Sequence, residues 1–209
     1  MRLSAPKRRK QLIEVAIGLF AQQGYRGTTT RQIADRAGVT EAIIYRHFPT
    51  KEDLYWAVLE EQCRARQEMR KSEAPDDKNL SDEQIFSTVA EGILRRNIQD
   101  PTLTRLLFFS ALESHGLAAR FYKTFTAPYF DEMAARIRQR IESGRFRDVD
   151  AGLAARTFIG MVFYFYQTQH LFLGEETPSY DVKKVARSIA KMWLQGVSAE
   201  GSSNGSSRA

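Results

Sequence analysis

The chain has 209 residues, of which 43% are hydrophobic, 27% charged and 11% aromatic. This composition is typical of a folded protein and excludes the disordered, collagen-like and coiled-coil classes. The most apolar run, residues 158–172, contains polar residues and is too short to span a bilayer, so no membrane partner is expected. The basic N-terminus lacks the apolar segment of a secretory signal, and the single cysteine, Cys63, allows no internal disulfide. We therefore expect a cytoplasmic protein.

The positive charge is concentrated in the first quarter of the chain. Residues 1–51 carry ten Lys and Arg and three acidic residues, a net charge of +7, whereas the whole chain carries +6. One interpretation is an N-terminal segment that binds a polyanion, joined to a nearly neutral remainder with another role. The other is a solvated basic surface that aids solubility.

Apolar residues recur at spacings of three and four from end to end, which predicts an all-α fold of about nine helices. Gly24 and Gly38 are placed to end helices in the left-handed conformation. Thr28 or Thr29, Thr40, Thr50 with Asp53, and Ser81 with Gln84 are candidate N-caps. The predicted helices cover 7–22, 29–37, 40–48, 50–71, a segment from 81, a segment from 100, 117–142 with a bend at Pro128, 150–173 and 179–196. Residues 72–80 form a polar break, and 198–209 form a Gly/Ser tail that we expect to be disordered.

Within residues 29–48, three positions indicate two short helices that cross steeply over a tight turn. A small residue at the closest approach is provided by Ala34, a glycine in the turn by Gly38, and a buried aliphatic by Ile44. This spacing alone is weakly specific. In a strongly basic segment that a supporting helix precedes, it predicts a DNA-binding helix-turn-helix.

Residues 9–59 carry a denser motif, which includes Phe20, Gly24, Tyr25 and the sequence IYRHFPTKEDL from Ile44 to Leu54. This segment resembles the N-terminal DNA-binding domain of tetracycline-repressor-type (TetR-type) transcriptional regulators. The resemblance implies a DNA-binding domain over 1–51, extending into helix four to about 66. It also implies a ligand-binding and dimerisation domain over 52–197.

The resemblance further implies a set of DNA contacts, with the third helix in the major groove. These residues are Thr28, Thr29, Thr30, Arg31, Thr40, Glu41, Ala42, Ile43, Tyr45, Arg46, His47 and Lys51. Glu41 and Ile43 depart from the commonest pattern of the family. One interpretation is that Glu41 accepts from a cytosine amino group and that Ile43 contacts a thymine methyl group. The other is that Glu41 only stabilises the positive N-terminal end of its helix and points away from the bases.

The remaining 150 or so residues are more than a DNA reader requires, and in the resembled family they bind a small ligand and form a homodimer. Pockets are mostly aromatic with a few polar groups. On that basis the ligand-site candidates are Trp56, Phe109, Glu113, His115, Tyr122, Phe125, Tyr129, Phe163, Tyr166, Gln167 and His170. The dimer-interface candidates on the last two helices are Phe158, Val162, Phe165, Ile189, Met192 and Trp193. Packing inside one chain is the alternative for every residue in both sets.

The residue inventory argues against an enzyme, a metal site or a cofactor. His47, His115 and His170 are isolated from one another and from Cys63, and no nucleotide-binding or nucleophile motif is present. Cys63 is a buried small side chain or an oxidation sensor. The sequence thus predicts a homodimeric regulator that a small hydrophobic or aromatic effector releases from a palindromic double-stranded DNA operator. The alternative is a non-specific architectural DNA-binding protein without ligand control.

Overall fold

The computed structural model describes residues 3–73, 79–113, 115–173 and 180–199, with His115 described by its backbone alone. The all-α prediction is confirmed, and an isolated bridge between Phe146 and Ser198 is the sole β pairing among these residues. The elements are α1 Ala5–Gly27, α2 Thr30–Ala37, α3 Glu41–His47, α4 Lys51–Ser72, α5 Asp82–Gln99, α6 Thr102–Glu113, α7 His115–Phe121, π1 Tyr122–Thr126, α8 Ala127–Glu142, α9 Ala151–Tyr166, π2 Gln167–Phe172 and α10 Val182–Val197.

The chain forms two compact units, Met1–Ser72 with Asp100–Phe125 (unit 1) and Glu73–Gln99 with Thr126–Ala209 (unit 2). The functional division after residue 51 stays a prediction. In the core of unit 1, the Tyr55 ring meets Phe20 edge-on at 4.8 Å between centroids, and its hydroxyl donates to the Leu106 carbonyl at 2.8 Å. Burial raises the pKa of Tyr55, so this hydroxyl remains a donor.

Unit 2 is built around an aromatic cluster on α5, α9 and α10. Phe86 lies 4.6 Å from Trp193 and 5.1 Å from Phe158, measured between ring centroids. Arg140 is also buried, and its Nε donates to Asp82 Oδ1 at 2.5 Å. An unpaired guanidinium would be very costly in such a core, so this ion pair fixes the end of α8 to the start of α5.

Three of the predicted N-terminal caps are confirmed. Thr29 and Gln32 exchange reciprocal side-chain to backbone bonds at the start of α2. The same exchange joins Thr50 with Asp53, and Ser81 with Gln84. The prediction for Thr40 is corrected, because it occupies the N-cap position of α3 but makes no side-chain cap bond.

Two predicted long helices are interrupted by π-helical turns. The expected 117–142 helix consists of α7, π1 and α8, and Pro128 lies in the first turn of α8, directly after π1. The expected 150–173 helix consists of α9 followed by π2. The prediction of about nine helices agrees with nine helical stretches in the described residues when the contiguous elements are joined.

The C-terminal boundary also differs from the prediction. The predicted start of the last helix, Ser179, lies outside the described residues, and Asp181 caps α10 by accepting from the Lys183 and Lys184 amides. Ser198 pairs with Phe146, and the Ala199 amide donates to the Arg145 carbonyl at 3.1 Å. The predicted tail therefore does not include these two residues, and its remainder, 200–209, lies outside the described residues.

Cys63 lies in the core of unit 1. Burial raises the pKa of its thiol to about 12, although Arg66 acts in the opposite direction. The thiol is therefore protonated at neutral pH, and the thiolate is the reactive form. These properties favour the buried small side chain over the oxidation sensor.

Gly24 breaks α1 one turn before its end. Its φ of 75° with ψ of 179° is non-helical, which an L side chain adopts only under strain. The break lets the Arg26 amide donate to Glu113 Oε2 at 2.8 Å. A Cβ at position 24 would overlap the Glu113 carboxylate and the Phe109 ring. The predicted glycine thus interrupts the helix, with a different geometry from the predicted left-handed stop, and α1 continues to Gly27.

We predict that Gly24→Ala destabilises the protein, because the positive φ costs about 1–3 kcal/mol and the overlap adds to it. Gly18→Ala, on the same helix and with open space around the new Cβ, is the matched control. It should raise stability by up to about 1 kcal/mol, since alanine is the better helix former. Denaturant unfolding of both variants measures the difference. A Gly24→Ala protein as stable as the original would refute the strained break.

Candidate nucleic-acid interface

The helices α2 and α3 form the predicted helix-turn-helix. Gly38 adopts the left-handed conformation (φ 66°, ψ 40°) between them, and the Val39 amide donates to the Ala34 carbonyl at 3.0 Å. Ala34 and Ile44 are buried at the crossing. The three positions that define the motif therefore have the packing and turn roles predicted for them.

The predicted DNA contacts divide by exposure. Exposed residues are Thr29, Arg31, Thr40, Ala42, Tyr45 and Arg46, and half-buried residues are Glu41, Ile43, His47 and Lys51. Thr28 and Thr30 are buried. Thr28 is corrected, because its fully buried hydroxyl donates to the Gly24 carbonyl at 2.8 Å at the C-terminal end of α1 instead of facing solvent.

Thr30, Glu41 and Tyr45 form a hydrogen-bonded group between α2 and α3. Thr30 Oγ1 donates to Glu41 Oε2 at 2.7 Å, and the Tyr45 hydroxyl lies 3.3 Å from the same Thr30 oxygen. The family resemblance implies that Thr30 contacts DNA. Its hydroxyl proton is instead occupied by the carboxylate of the next helix.

Lys51, the first residue of α4, lies against the aromatic core of unit 1. Its Nζ is 4.3 Å from the centroid of the Tyr25 ring, a cation–π distance. Burial lowers the pKa of Lys51, and the nearby Glu113 carboxylate opposes that shift. The ammonium group is therefore held in position by the ring.

The sequence prediction missed Arg9 as a residue of this surface. The guanidinium carbon of Arg9 lies 4.9 Å from the centroid of the Phe48 ring, at the C-terminal end of α3. This contact places the basic segment Lys7–Lys10 beside α3. No local motif could identify it, because the two residues are far apart in sequence; the excess of positive charge was the one available signal.

The ligand-site candidates of unit 1 do not form one group, and Trp56 and Phe125 are the pair in ring contact. The Trp56 ring is 5.9 Å from Phe125 between centroids, and Arg120 lies 3.7 Å above it. Trp56 Nε1 donates to Glu60 Oε1 at 2.5 Å. Phe109 and Glu113 lie instead beside Gly24, and Tyr122 is exposed.

The candidates of unit 2 form another group. Tyr166 is buried in the core, 5.9 Å from Phe163 and stacked on His170 at 5.7 Å between centroids. Burial lowers the pKa of His170, so the ring is neutral at pH 7. Tyr129 and Gln167 are half-buried, and the side chain of His115 lies outside the described residues. Trp56 and Tyr166 are thus both packed within the chain.

Four of the six dimer-interface candidates are corrected. Phe158, Val162, Ile189 and Trp193 are buried in the core of unit 2, because their side of each helix packs within the same chain. Phe165 is half-buried, and Met192 is 55% exposed. The outer sides of α9 and α10 instead expose Leu153, Met161, Tyr164 and Met192. Apolar spacing alone could not show which side of a helix faces its own core.

Across the described ranges, no three His, Cys, Asp or Glu side chains converge as metal ligands would. In the same part of the chain, no helix combines the length and apolar character needed to cross a membrane.

Comparisons with known proteins identify the family. Residues 12–58 match the family model of bacterial regulatory proteins of the tetR family, and residues 83–196 match that of the C-terminal domain of AefR-like transcriptional repressors. The chain is 30% identical over 175 residues to the nucleoid occlusion factor SlmA of Haemophilus ducreyi, with 81% of this chain and 82% of that protein aligned.

Solved structures agree in fold. A TetR-family transcriptional regulator from Mesorhizobium loti has a TM-score of 0.75 at 19% identity, covering 95% of this chain and 100% of that one. FadR from Bacillus subtilis in complex with stearoyl-CoA has a TM-score of 0.72 at 19% identity, covering 90% and 98%. With its helix-turn-helix and both family models matched, the chain belongs to the TetR family of DNA-binding transcriptional regulators.

Proposed function

We propose that the protein is a cytoplasmic homodimeric repressor that binds a palindromic operator and leaves it when a small hydrophobic or aromatic effector binds. It needs no cofactor and catalyses no reaction. The observation that carries the proposal is the helix-turn-helix with an exposed α3 in the strongly basic first quarter of the chain. Each α3 enters the major groove of one half-site, and the separation of the half-sites matches the distance between the two α3 helices of the dimer.

The exposed polar and basic side chains around α3 supply the contacts to DNA. Arg46, His47 and Lys51 contact phosphates, as do Thr29 and Arg31 at the start of α2. Thr40, Ala42 and Ile43 lie at the start of α3 and approach the base edges. Arg9 extends the phosphate contacts beyond the helix-turn-helix.

The dimer forms through the outer sides of α9 and α10. Leu153, Met161 and Tyr164 on α9 and Met192 on α10 leave apolar surface exposed on the two helices that the family resemblance assigns to the interface. Contiguous apolar surface of this kind marks interaction sites in folded proteins. A twofold axis would bring the same side chains of two protomers together.

The effector acts on unit 1 through α4. Trp56 lies on α4 one turn after Lys51, so a ligand that displaces the Trp56 ring shifts the helix that carries a phosphate contact. FadR, which shares the fold, was solved with stearoyl-CoA, which supports a hydrophobic acyl group as one effector class. Because coupling is reciprocal, operator DNA must weaken effector binding by the same factor.

A non-specific architectural DNA-binding protein without ligand control is the second candidate. The similarity over most of the chain to SlmA favours it, because that protein is named for the nucleoid and not for an effector.

We predict that the purified protein enriches a palindrome from random duplex DNA at about 150 mM salt, where binding through phosphates alone is weak. Stearoyl-CoA added to the complex serves as the first effector probe and should release the DNA. DNA binding at low salt with no sequence enriched would favour the second candidate, whereas enrichment without release by stearoyl-CoA would contradict an acyl-CoA effector. Failure to enrich any sequence would contradict the repressor proposal itself.

We predict that Arg9→Ala weakens binding to all sequences and flattens the salt dependence. The slope of log K against log salt should fall by about one for each protomer, because one phosphate contact is lost. Arg138→Ala, which removes an exposed arginine of α8 in unit 2, is the control and should leave the slope unchanged. If Arg9→Ala leaves the slope of log K against log salt unchanged, the first turn of α1 does not contact DNA.

We predict that Tyr164→Glu dissociates the dimer. Burying two uncompensated carboxylates costs several kcal/mol, which corresponds to at least about a hundredfold rise in the dissociation constant. Leu112→Glu, at an exposed apolar residue of α6, is the control and should remain dimeric. Sedimentation equilibrium measures both variants. A Tyr164→Glu protein with the original dimer affinity would place the interface elsewhere.

A further inference from the structure

Glu41 is a carboxylate held in place on a DNA-binding surface. It is the first residue of α3, and its Oε2 accepts from Thr30 Oγ1 at 2.7 Å. Thr30 is buried at the start of α2, so one end of the bond is anchored in the fold. The carboxylate therefore belongs to the scaffold of the helix-turn-helix and has little freedom to swing away.

The protons of this group have one consistent arrangement. An ionised carboxylate only accepts, so the single Thr30 proton points to Glu41. The Tyr45 hydroxyl, 3.3 Å from the same oxygen, must then donate to Thr30. The chain of bonds runs from Tyr45 through Thr30 to Glu41 and uses one of about four acceptor positions of the carboxylate.

The hydrogen-bond partner of Glu41 distinguishes its two possible roles, which are contact with a base and stabilisation of the positive end of α3. A residue that only complements the positive end of α3 would direct its carboxylate to the amides of that helix. Glu41 instead bonds to Thr30 of α2. The bond keeps a fixed acceptor beside Tyr45, which lies one turn further along the exposed side of α3.

We infer that Glu41 is a base-reading residue that selects cytosine at one position of each half-site, and that Thr30 is the positioning residue that fixes it. This inference rests on the proposed function. In the major groove guanine presents two acceptors and thymine one, and these repel a carboxylate. Adenine pairs its amino group with the N7 acceptor, whereas cytosine presents an amino group alone. An acceptor-only side chain therefore matches cytosine.

The test is operator selection with the original protein and five variants. Glu41→Gln should lose the cytosine preference at one position per half-site, by about tenfold, and shift towards adenine, because an amide both donates and accepts. Thr30→Val should weaken the preference at the same position, and Thr30→Ser, which keeps the hydroxyl, should retain it. Glu14→Gln is the control, since it removes an exposed acidic charge of α1 outside this group and should leave all base frequencies unchanged.

The outcomes separate this inference from the proposed function. If the original protein enriches a palindrome and Glu41→Gln selects identical base frequencies, the inference is wrong and the repressor proposal stands. If the original protein enriches no sequence, the repressor proposal fails and the inference fails with it. Circular dichroism and thermal melting measure whether Thr30→Val is folded. Glu41→Asp provides a second measurement, because its shorter side chain keeps the charge and should still lose the preference.

Discussion

The arrangement of α1, α4 and α6 in unit 1 depends on the break in α1 at Gly24. A helix end leaves backbone groups without helical partners, and these groups bond to side chains, to other backbone groups or to water. Here the Arg26 amide finds Glu113 of α6, and Arg105 Nε of the same helix donates to the Ala21 carbonyl at 2.7 Å. Tyr55 of α4 adds its bond to the Leu106 carbonyl. One helix, α6, thus holds both α1 and α4, and the glycine conformation makes that possible because no side chain separates the helices.

Much of the helix-turn-helix region could be predicted from the sequence, because the residues that form its caps and turn lie close together along the chain. The Thr29 and Gln32 pair, the Gly38 turn and the Thr50 and Asp53 pair each lie within four residues. Helix caps and turns follow from such short-range hydrogen bonds, so the sequence contains nearly all of the information. The π turns in π1 and π2 have no comparable signal. Apolar spacing predicts only a helix there, because it does not distinguish a π turn from the α-helix around it.

The site was less predictable because its functional side chains are selected by tertiary contacts. Trp193 and Met192 are neighbours on α10, yet one is buried in the core and the other exposed. A pattern of apolar residues does not distinguish a side that packs within the chain from one that meets a partner. Arg9 reaches Phe48 across the fold, and Thr28 turns inward to Gly24 although its neighbour Thr29 faces solvent. These choices follow from the three-dimensional arrangement of α1, α2 and α3.

On the helix-turn-helix surface, basic side chains supply affinity for DNA and an acidic side chain supplies specificity. Basic groups such as Arg9, Arg46 and Lys51 attract any phosphate backbone and therefore supply affinity without preference. A fixed carboxylate at Glu41 lowers that affinity for every sequence, because it faces a polyanion. The loss is offset where a base offers a hydrogen-bond donor, so the carboxylate discriminates by penalising all other bases. Specificity of this type needs rigidity, since a mobile glutamate would swing away from an unfavourable base. The bond from buried Thr30 provides that rigidity.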